Sequence, residues 1–241
     1  MCIRDRFRKV MEEFQQVKVV SFDFGGTLAY ETTDNSIVFQ QILQKLGYKI
    51  EVDNIKEAMK IVRGWWKREK GERVWNEDAM KEFHERVMSK LGIPNPEKLA
   101  EETSKILPQK LDFKAYDDAK QTLKNLKRTG YSLIIISNVS SRRNLETYME
   151  KAGLNGYFNA LFASGSMGVE KPNPQIFHRA AKEMNVPCQA MVHIGDSYEI
   201  DYLGAENAGM MGVLIDRKGN YRDKECRKIS SLTQLLKLLT K

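Results

Sequence analysis

Cysteine is scarce in this chain of 241 residues: only Cys2, Cys188 and Cys226, with no CxxC spacing. A scattered, odd set argues against a disulfide framework or a cysteine zinc site, and it suits a reducing cytoplasm. Long apolar runs are also missing. No segment approaches the ~18 uninterrupted apolar residues of a membrane helix. The charged stretch from Met1 to Gln16 lacks the apolar centre of a secretory leader. No GxGxxG opens a helix and no GxxxxGK[ST] occurs, so neither a dinucleotide fingerprint nor a P-loop is present. Internal repeats and low-complexity segments are absent too.

What is present supports a packed enzyme-sized fold. The hydrophobic fraction is 41%, and the length suits one large domain or a domain with an insert. The net charge of +7 is concentrated late: the last 25 residues hold eight basic and two acidic side chains around a single aromatic, Tyr221. That pattern is expected of a solvated face rather than a nucleic-acid footprint. It also suits steering of a small anionic substrate.

The apolar run from Val17 to Phe22 reads as a buried strand, and it ends in Asp23-Phe24-Gly25-Gly26-Thr27. Four later runs resemble it: Ser132–Ile136, Ala160–Ala163, Met191–Ile194 and Gly212–Ile215. Continuous rather than alternating hydrophobicity fits parallel strands covered on both faces. Helical patterns separate them over Asp117–Arg128, Arg142–Lys151, Pro174–Met184, Ile200–Ala208 and Ser231–Leu239. The expected fold is α/β, a doubly wound, Rossmann-like parallel sheet. Residues 35–109 break the rhythm with four helical segments and no convincing strand. The expected division is a core of residues 14–34 and 110–241, a helical insert over 35–109, and a non-native or disordered extension over 1–13.

Candidate chemistry gathers at strand ends, where open α/β sheets place their ligands. Asp23 ends the first strand and Ser137-Asn138 the second. Lys171 precedes Pro172 and a helix, and Gly195-Asp196-Ser197 ends a later strand with Asp201 close behind. Each has a plain reading alone: a turn cap, a helix start, a surface lysine beside Glu170, a helix residue. Four in this order, at these positions, favour one site.

The series resembles the haloacid dehalogenase-like phosphohydrolase superfamily, over nearly the whole chain from Val17. That family's motifs run Asp-x-Asp-x-Thr, Ser or Thr, Lys before Pro, and Gly-Asp with a further Asp. The stretch from Gly195 to Met210 is especially close to the fourth motif, and the helical insert matches a cap between the first two. The resemblance implies hydrolysis of a small phosphorylated metabolite through an aspartyl-phosphate on Asp23. Asp23, the Gly25 carbonyl, Asp196 and Asp201 would ligate Mg²⁺, a hard cation that prefers oxygen donors. Lys171, Ser137 and Thr27 join Asp23 as catalytic residues. Gly26, Asn138, Ser137 and Lys171 would hold the phosphoryl group. Asp201 has a second reading, as a residue that orients Asp196.

Gly25 departs from the pattern. It stands where the family's phosphatases carry the carboxylate that protonates the leaving oxygen, a function worth roughly 10²–10⁴-fold in rate. Three consequences stay open: a substitute acid among Glu31, Asp34 and His84, each of which also reads as a plain surface residue; leaving groups that depart unprotonated, such as acyl or aryl phosphates; or phospholigand binding with little turnover. A metal-independent 2-haloacid dehalogenase would also lack that carboxylate, but retention of Asp196 and Asp201 argues against it. His193 and His178 read as packing residues. Trp65-Trp66 with Arg63, Lys67 and Arg68 reads as helical core with a basic rim, or as a substrate pocket wall.

Overall fold

The computed structural model describes residues 14–239. The expected extension over 1–13 lies outside the described residues. The chain enters the sheet through β1 (Val19–Phe22) and turns into a short strand, β2 (Ala29–Glu31). Four helices follow: α1 (Asn35–Lys45), α2 (Val52–Glu69), α3 (Glu77–Lys90) and α4 (Pro96–Lys110). The return strand β3 (Phe113–Ala115) leads to α5 (Ala119–Arg128), β4 (Ser132–Ser137), α6 (Arg142–Lys151) and β5 (Ala160–Ala163). Next come α7 (Ser164–Met167), α8 (Pro174–Glu183) and β6 (Met191–Gly195). A wide π-type turn over Tyr198–Tyr202 runs into α9 (Leu203–Asn207). The chain closes with β7 (Met211–Ile215), β8 (Lys228–Ile229) and α10 (Thr233–Leu239).

Six strands form one parallel sheet in the order β5-β4-β1-β6-β7-β8. β1 is central: Val19 to Phe22 are all buried, and both edges are paired. Successive side chains point to opposite faces. Val20, Phe22, Leu133 and Ile135 pack with α5, α6 and α10, whereas Val19, Ile134 and Ile136 pack with α8 and α9. The chain leaves β1 toward β4 on one side and returns to β6 on the other. That reversal opens a crevice at the carboxyl end of β1, where Asp23 lies.

Helix starts are set by local polar caps. Asp34 accepts from the Ser36 amide, Asn76 from Ala79, Ser141 from Asn144 and Asn173 from Gln175. The four helices α1–α4 enclose a second apolar cluster that includes Phe39, Leu43, Ile55, Val87 and Met88. Their connections to the sheet pair with each other: β2 and β3 form a two-stranded antiparallel ribbon, with Glu31 opposite Phe113.

Two expectations need correction. The strands β2, β3 and β8 were not anticipated, because two or three residues carry no usable periodicity. The helix expected from Ile200 begins earlier, as a turn in which the amides of both Asp201 and Tyr202 donate to the Ser197 carbonyl. The late basic residues partly serve the fold. Arg217 pairs with Asp118 through two hydrogen bonds and stacks on Tyr116, and Arg227 pairs with Glu206.

Candidate active site

The parallel sheet brings the expected strand-end residues together. Asp23 is buried, and its amide donates to the Ile194 carbonyl at 2.8 Å, which continues the β1–β6 ladder one residue past the strand. Its Oδ1 accepts from Ser137 Oγ at 2.9 Å and from Lys171 Nζ at 2.8 Å. Its Oδ2 has no hydrogen-bond partner among the described residues. Lys171 is 2% exposed and donates also to Asp201 Oδ1 at 2.6 Å and to the Ile136 carbonyl at 2.7 Å. The Asn138 side chain clamps the Lys171 backbone, donating to its carbonyl and accepting from its amide, both at 2.9 Å. Asn138 thus acts on the loop that presents the lysine.

Asp23, Asp196 and Asp201 each offer an oxygen within 4.8 Å of the others. Asp23 and Asp201 are buried and Asp196 is exposed. Asp201 is heavily engaged: Oδ1 accepts from Lys171 and His193, and Oδ2 accepts from the Ser197 amide at 3.0 Å. Its contacts position Lys171 and the turn, and no hydrogen bond links it to Asp196. Close approach is built into two glycines. A Cβ at Gly26, whose φ is +80°, would lie 2.2 Å from Asp196 Oδ2; one at Gly195 would lie 2.2 Å from Asp201 Cγ. Gly25 is different. A Cβ there would meet nothing within 4 Å, and its backbone is not left-handed. Neither space nor conformation demands glycine at that position.

The charges are unbalanced, since one lysine faces three carboxylates. Burial pushes the Asp23 carboxyl above its ordinary range and Asp201 adds repulsion, while Lys171 opposes both. Dehydration and then repulsion from Asp23 and Asp201 push Asp196 up to about 6. Burial works against ionised Asp201 too, but Lys171 and His193 outweigh it and hold that carboxyl low. For Lys171, burial is outweighed by Asp201 and Asp23, which keep it protonated. A hard cation fits this donor set: the ligands are oxygens, and the repulsion that raises Asp196 is what added positive charge would relieve.

Thr27 does not join the cluster of interacting groups. It is fully buried, its Oγ1 lacks a partner among the described residues, and its carbonyl accepts from Arg217. His193 carries more than packing. Burial keeps the ring neutral, so Nε2–H donates to Asp201 at 3.2 Å and Nδ1 accepts from Ser21 Oγ at 2.6 Å. Sequence reading treated it as core; Ser21 lies directly opposite it in the sheet register, but that pairing is invisible without the strand order. His178 simply donates to the Ala208 carbonyl.

The three substitute acids separate. Asp34 caps α1 and faces Lys56, and two bonds from Ser36 hold its carboxyl below the ordinary range. That makes it a poor proton donor. Burial drops His84 to about 3, so it stays neutral at physiological pH. Glu31, an exposed residue at a cavity rim, is pushed up to about 7 by partial dehydration and by Asp34. Of the tryptophan-basic stretch, Trp66 and Arg63 line that same cavity, whereas Trp65 stacks with Arg86.

Residues 17–209 match the family model of the haloacid dehalogenase-like hydrolases. A glyceraldehyde 3-phosphate phosphatase from Methanothermobacter thermautotrophicus is 27% identical over 83% of this chain and 86% of its own. One of the same name from Methanopyrus kandleri is 36% identical over 48% of each chain. Haloacid dehalogenase-like hydrolase domain-containing protein 3 from Bos taurus is 31% identical over 58% of this chain and 55% of its own. The chain thus spans about half the length of the latter two relatives. Among solved structures, a HAD phosphatase from Thermococcus onnurineus superposes with a TM-score of 0.66 at 24% identity, covering 93% of this chain and 98% of that one. A 2-haloacid dehalogenase from Pseudomonas syringae gives 0.70 at 21%, covering 92% and 98%. These likenesses establish the fold, and the family match over residues 17–209 places the chain in the haloacid dehalogenase-like hydrolases.

Proposed function

We propose that this chain is a phosphohydrolase that cleaves a small phosphate monoester with Asp23 as nucleophile. The observation that carries this reading is the state of Asp23. One carboxylate oxygen is fixed by Ser137 and Lys171, while the other is unpartnered beside Asp196. The relatives named as glyceraldehyde 3-phosphate phosphatases support a small phosphorylated substrate.

In this mechanism Lys171 binds a phosphoryl oxygen as a point charge, and the Ser137 hydroxyl orients the attacking carboxylate. Asp201 and His193 hold the lysine in register. Asp23 bonds to phosphorus as the ester bond breaks, and water then releases phosphate and regenerates the carboxylate. Asp23 and Asp196, with the Gly25 carbonyl and the buried Asp201 behind them, would hold Mg²⁺, which when bound supplies charge neutralisation between nucleophile and phosphoryl oxygens. The helical block α1–α4 acts as the cap over this pocket.

Asp23→Asn removes the nucleophilic charge and keeps the shape. Phosphate release from any monoester should vanish, and turnover retained in a folded preparation overturns the mechanism. Gly25 favours one second reading, a phospholigand-binding protein with little hydrolysis. Phosphate binding without release from aryl or alkyl esters, with Mg²⁺ present, would select it. Halide release from a 2-haloacid in chelator would instead indicate a dehalogenase.

A further inference from the structure

The pocket at Asp23 does not end at the sheet. Phe113, Asn138, Val139 and Tyr148 line it and also line a second cavity of about 430 Å³ beneath the helical block. These four residues are common to both linings, so the phosphoryl site and the larger space adjoin. Arg63 and Glu31 stand at the exposed rim of that space, and the charged groups are confined there.

The interior is aromatic and aliphatic, with Asn138 and Ser140 as neutral polar groups on the side of the Asp23 pocket. Trp66, Trp75 and Phe83 form a ladder of edge-to-face contacts, with ring centroids 5.4 Å and 5.5 Å apart. Across the cavity Phe113 lies against Tyr148 at 4.5 Å. One polar side chain is buried in the lining from α3: His84, whose Nδ1 is bonded to Ser104 Oγ at 2.7 Å. Its Nε2 has no partner among the described residues. Burial keeps that imidazole neutral, so it offers a hydrogen bond and no charge.

We infer that this cavity receives the leaving group, and that the leaving group is the oxide of an aromatic alcohol with no other charge, so that the substrate is an aryl phosphate monoester. The inference rests on the phosphohydrolase reading of Asp23. Two independent features converge on it. The first is shape and chemistry. An apolar cavity of about 150 Å³ accommodates benzene, so the volume here takes more than one ring. Aromatic walls favour offset and edge-to-face contacts with a ring. A triose is too small and too polar to fill such walls.

The second is Gly25. Expelling an alkoxide needs a proton donor, since the oxygen it leaves on is about as basic as hydroxide, with water's pKa near 15.7. A phenolate resembles the tyrosine oxygen, with a pKa of about 10. It departs with the electron pair of the broken P–O bond and takes its proton from solvent afterwards. The Asp23 oxygen forms the new bond to phosphorus, and a later water supplies the oxygen and protons that release phosphate. No acid at position 25 is required for the first step.

The test compares kcat/KM for 1-naphthyl phosphate, glycerol 1-phosphate and glyceraldehyde 3-phosphate in Mg²⁺, in the wild type and in Trp66→Ala. The expected result is a preference for the naphthyl ester that depends on the cavity. Trp66→Ala should lower efficiency on it roughly 10- to 100-fold more than on glycerol 1-phosphate, and Trp66→Phe should recover most of that loss. Because Trp66→Ala could fold poorly, the wild type is also titrated with 1-naphthol, read by its own tryptophan fluorescence. Saturable quenching, with competitive inhibition of phosphate release, supports the inference. Equal losses on both esters, a triose phosphate turned over as well as the naphthyl ester, or no naphthol binding overturns it. No phosphate release from any ester overturns the phosphohydrolase reading instead, and the naphthol titration still reads the cavity on its own.

Discussion

Placing a carboxylate at position 25 should make this protein a better catalyst for poor leaving groups. The backbone accepts Gly25→Asp: the new Cβ meets no atom within 4 Å, and the residue is not left-handed. Replacing glycine at such a site costs little and often stabilises, by about 0.4–1 kcal/mol, through the unfolded chain. The added charge works the other way, because it joins Asp23, Asp196 and Asp201, which already repel one another. The variant should therefore melt lower than wild type in chelator and recover in Mg²⁺. A positioned general acid is worth roughly 10²–10⁴-fold, or about 2.7–5.4 kcal/mol at the barrier. Glycerol 1-phosphate should show most of that gain. 1-Naphthyl phosphate, whose oxide leaves about six pK units more readily, should show little. The assay is initial-rate phosphate release for both esters, with thermal melts as the control for folding. An equal gain on both esters, or none on either in a folded variant, refutes the argument. The absence of any gain would mean that another group, with Glu31 at the rim the first to test, already protonates the leaving oxygen.

Other consequences are as direct. Lys171→Met leaves two buried carboxylates without their cation; the loss should be about 3–5 kcal/mol in urea unfolding, and a stability equal to wild type would contradict the ion-pair assignment. Gly26→Ala places a methyl group 2.2 Å from Asp196 Oδ2 at a φ of +80°, so it should weaken phosphate release assayed in Mg²⁺ and lower the melting temperature together; a neutral outcome would mean that the loop relaxes freely. Buried His84 titrates near 3 instead of its ordinary 6.5, so its contribution is complete above pH 6.5 and is lost as pH falls from there toward 3. The slope from this group approaches about 1.4 kcal/mol per pH unit in that window, and His84→Leu should flatten it in unfolding curves at pH 7 and pH 5.

Much of this was readable from residue order. β1, β4, β5, β6 and β7 are short continuous apolar runs because both sheet faces are covered, and such runs stand out without any structure. The helical block announced itself through period and punctuation. Asp23, Ser137, Asn138, Lys171, Asp196 and Asp201 fall at strand or loop ends in a fixed order, and parallel pairing brings those ends to one edge. The ribbon β2–β3 was not readable, since three residues on each side become strands only by meeting one another. The helical pattern from Ile200 takes in part of the turn at Tyr198–Tyr202, where the Ser197 carbonyl accepts from two successive amides. His193 looked like core and is core, yet its link from Ser21 to Asp201 depends on which strand lies beside β1. The aromatic cavity was half visible: Trp66 was marked, but Trp75, Phe83, Phe113 and Tyr148 come from three further segments that only folding unites.

The ribbon carries a mechanical consequence. Both connections between the helical block and the sheet pass through β2 and β3, and these are hydrogen-bonded to each other. A single tether would let the block swivel. Two paired strands couple the connections, and the contacts Lys70–Glu170 and Lys151–Gln109 tie the block to the sheet domain beside them. Phe113 lies in this ribbon and also lines both the pocket at Asp23 and the larger cavity. Any displacement of the ribbon therefore carries Phe113 with it and reshapes both linings at once.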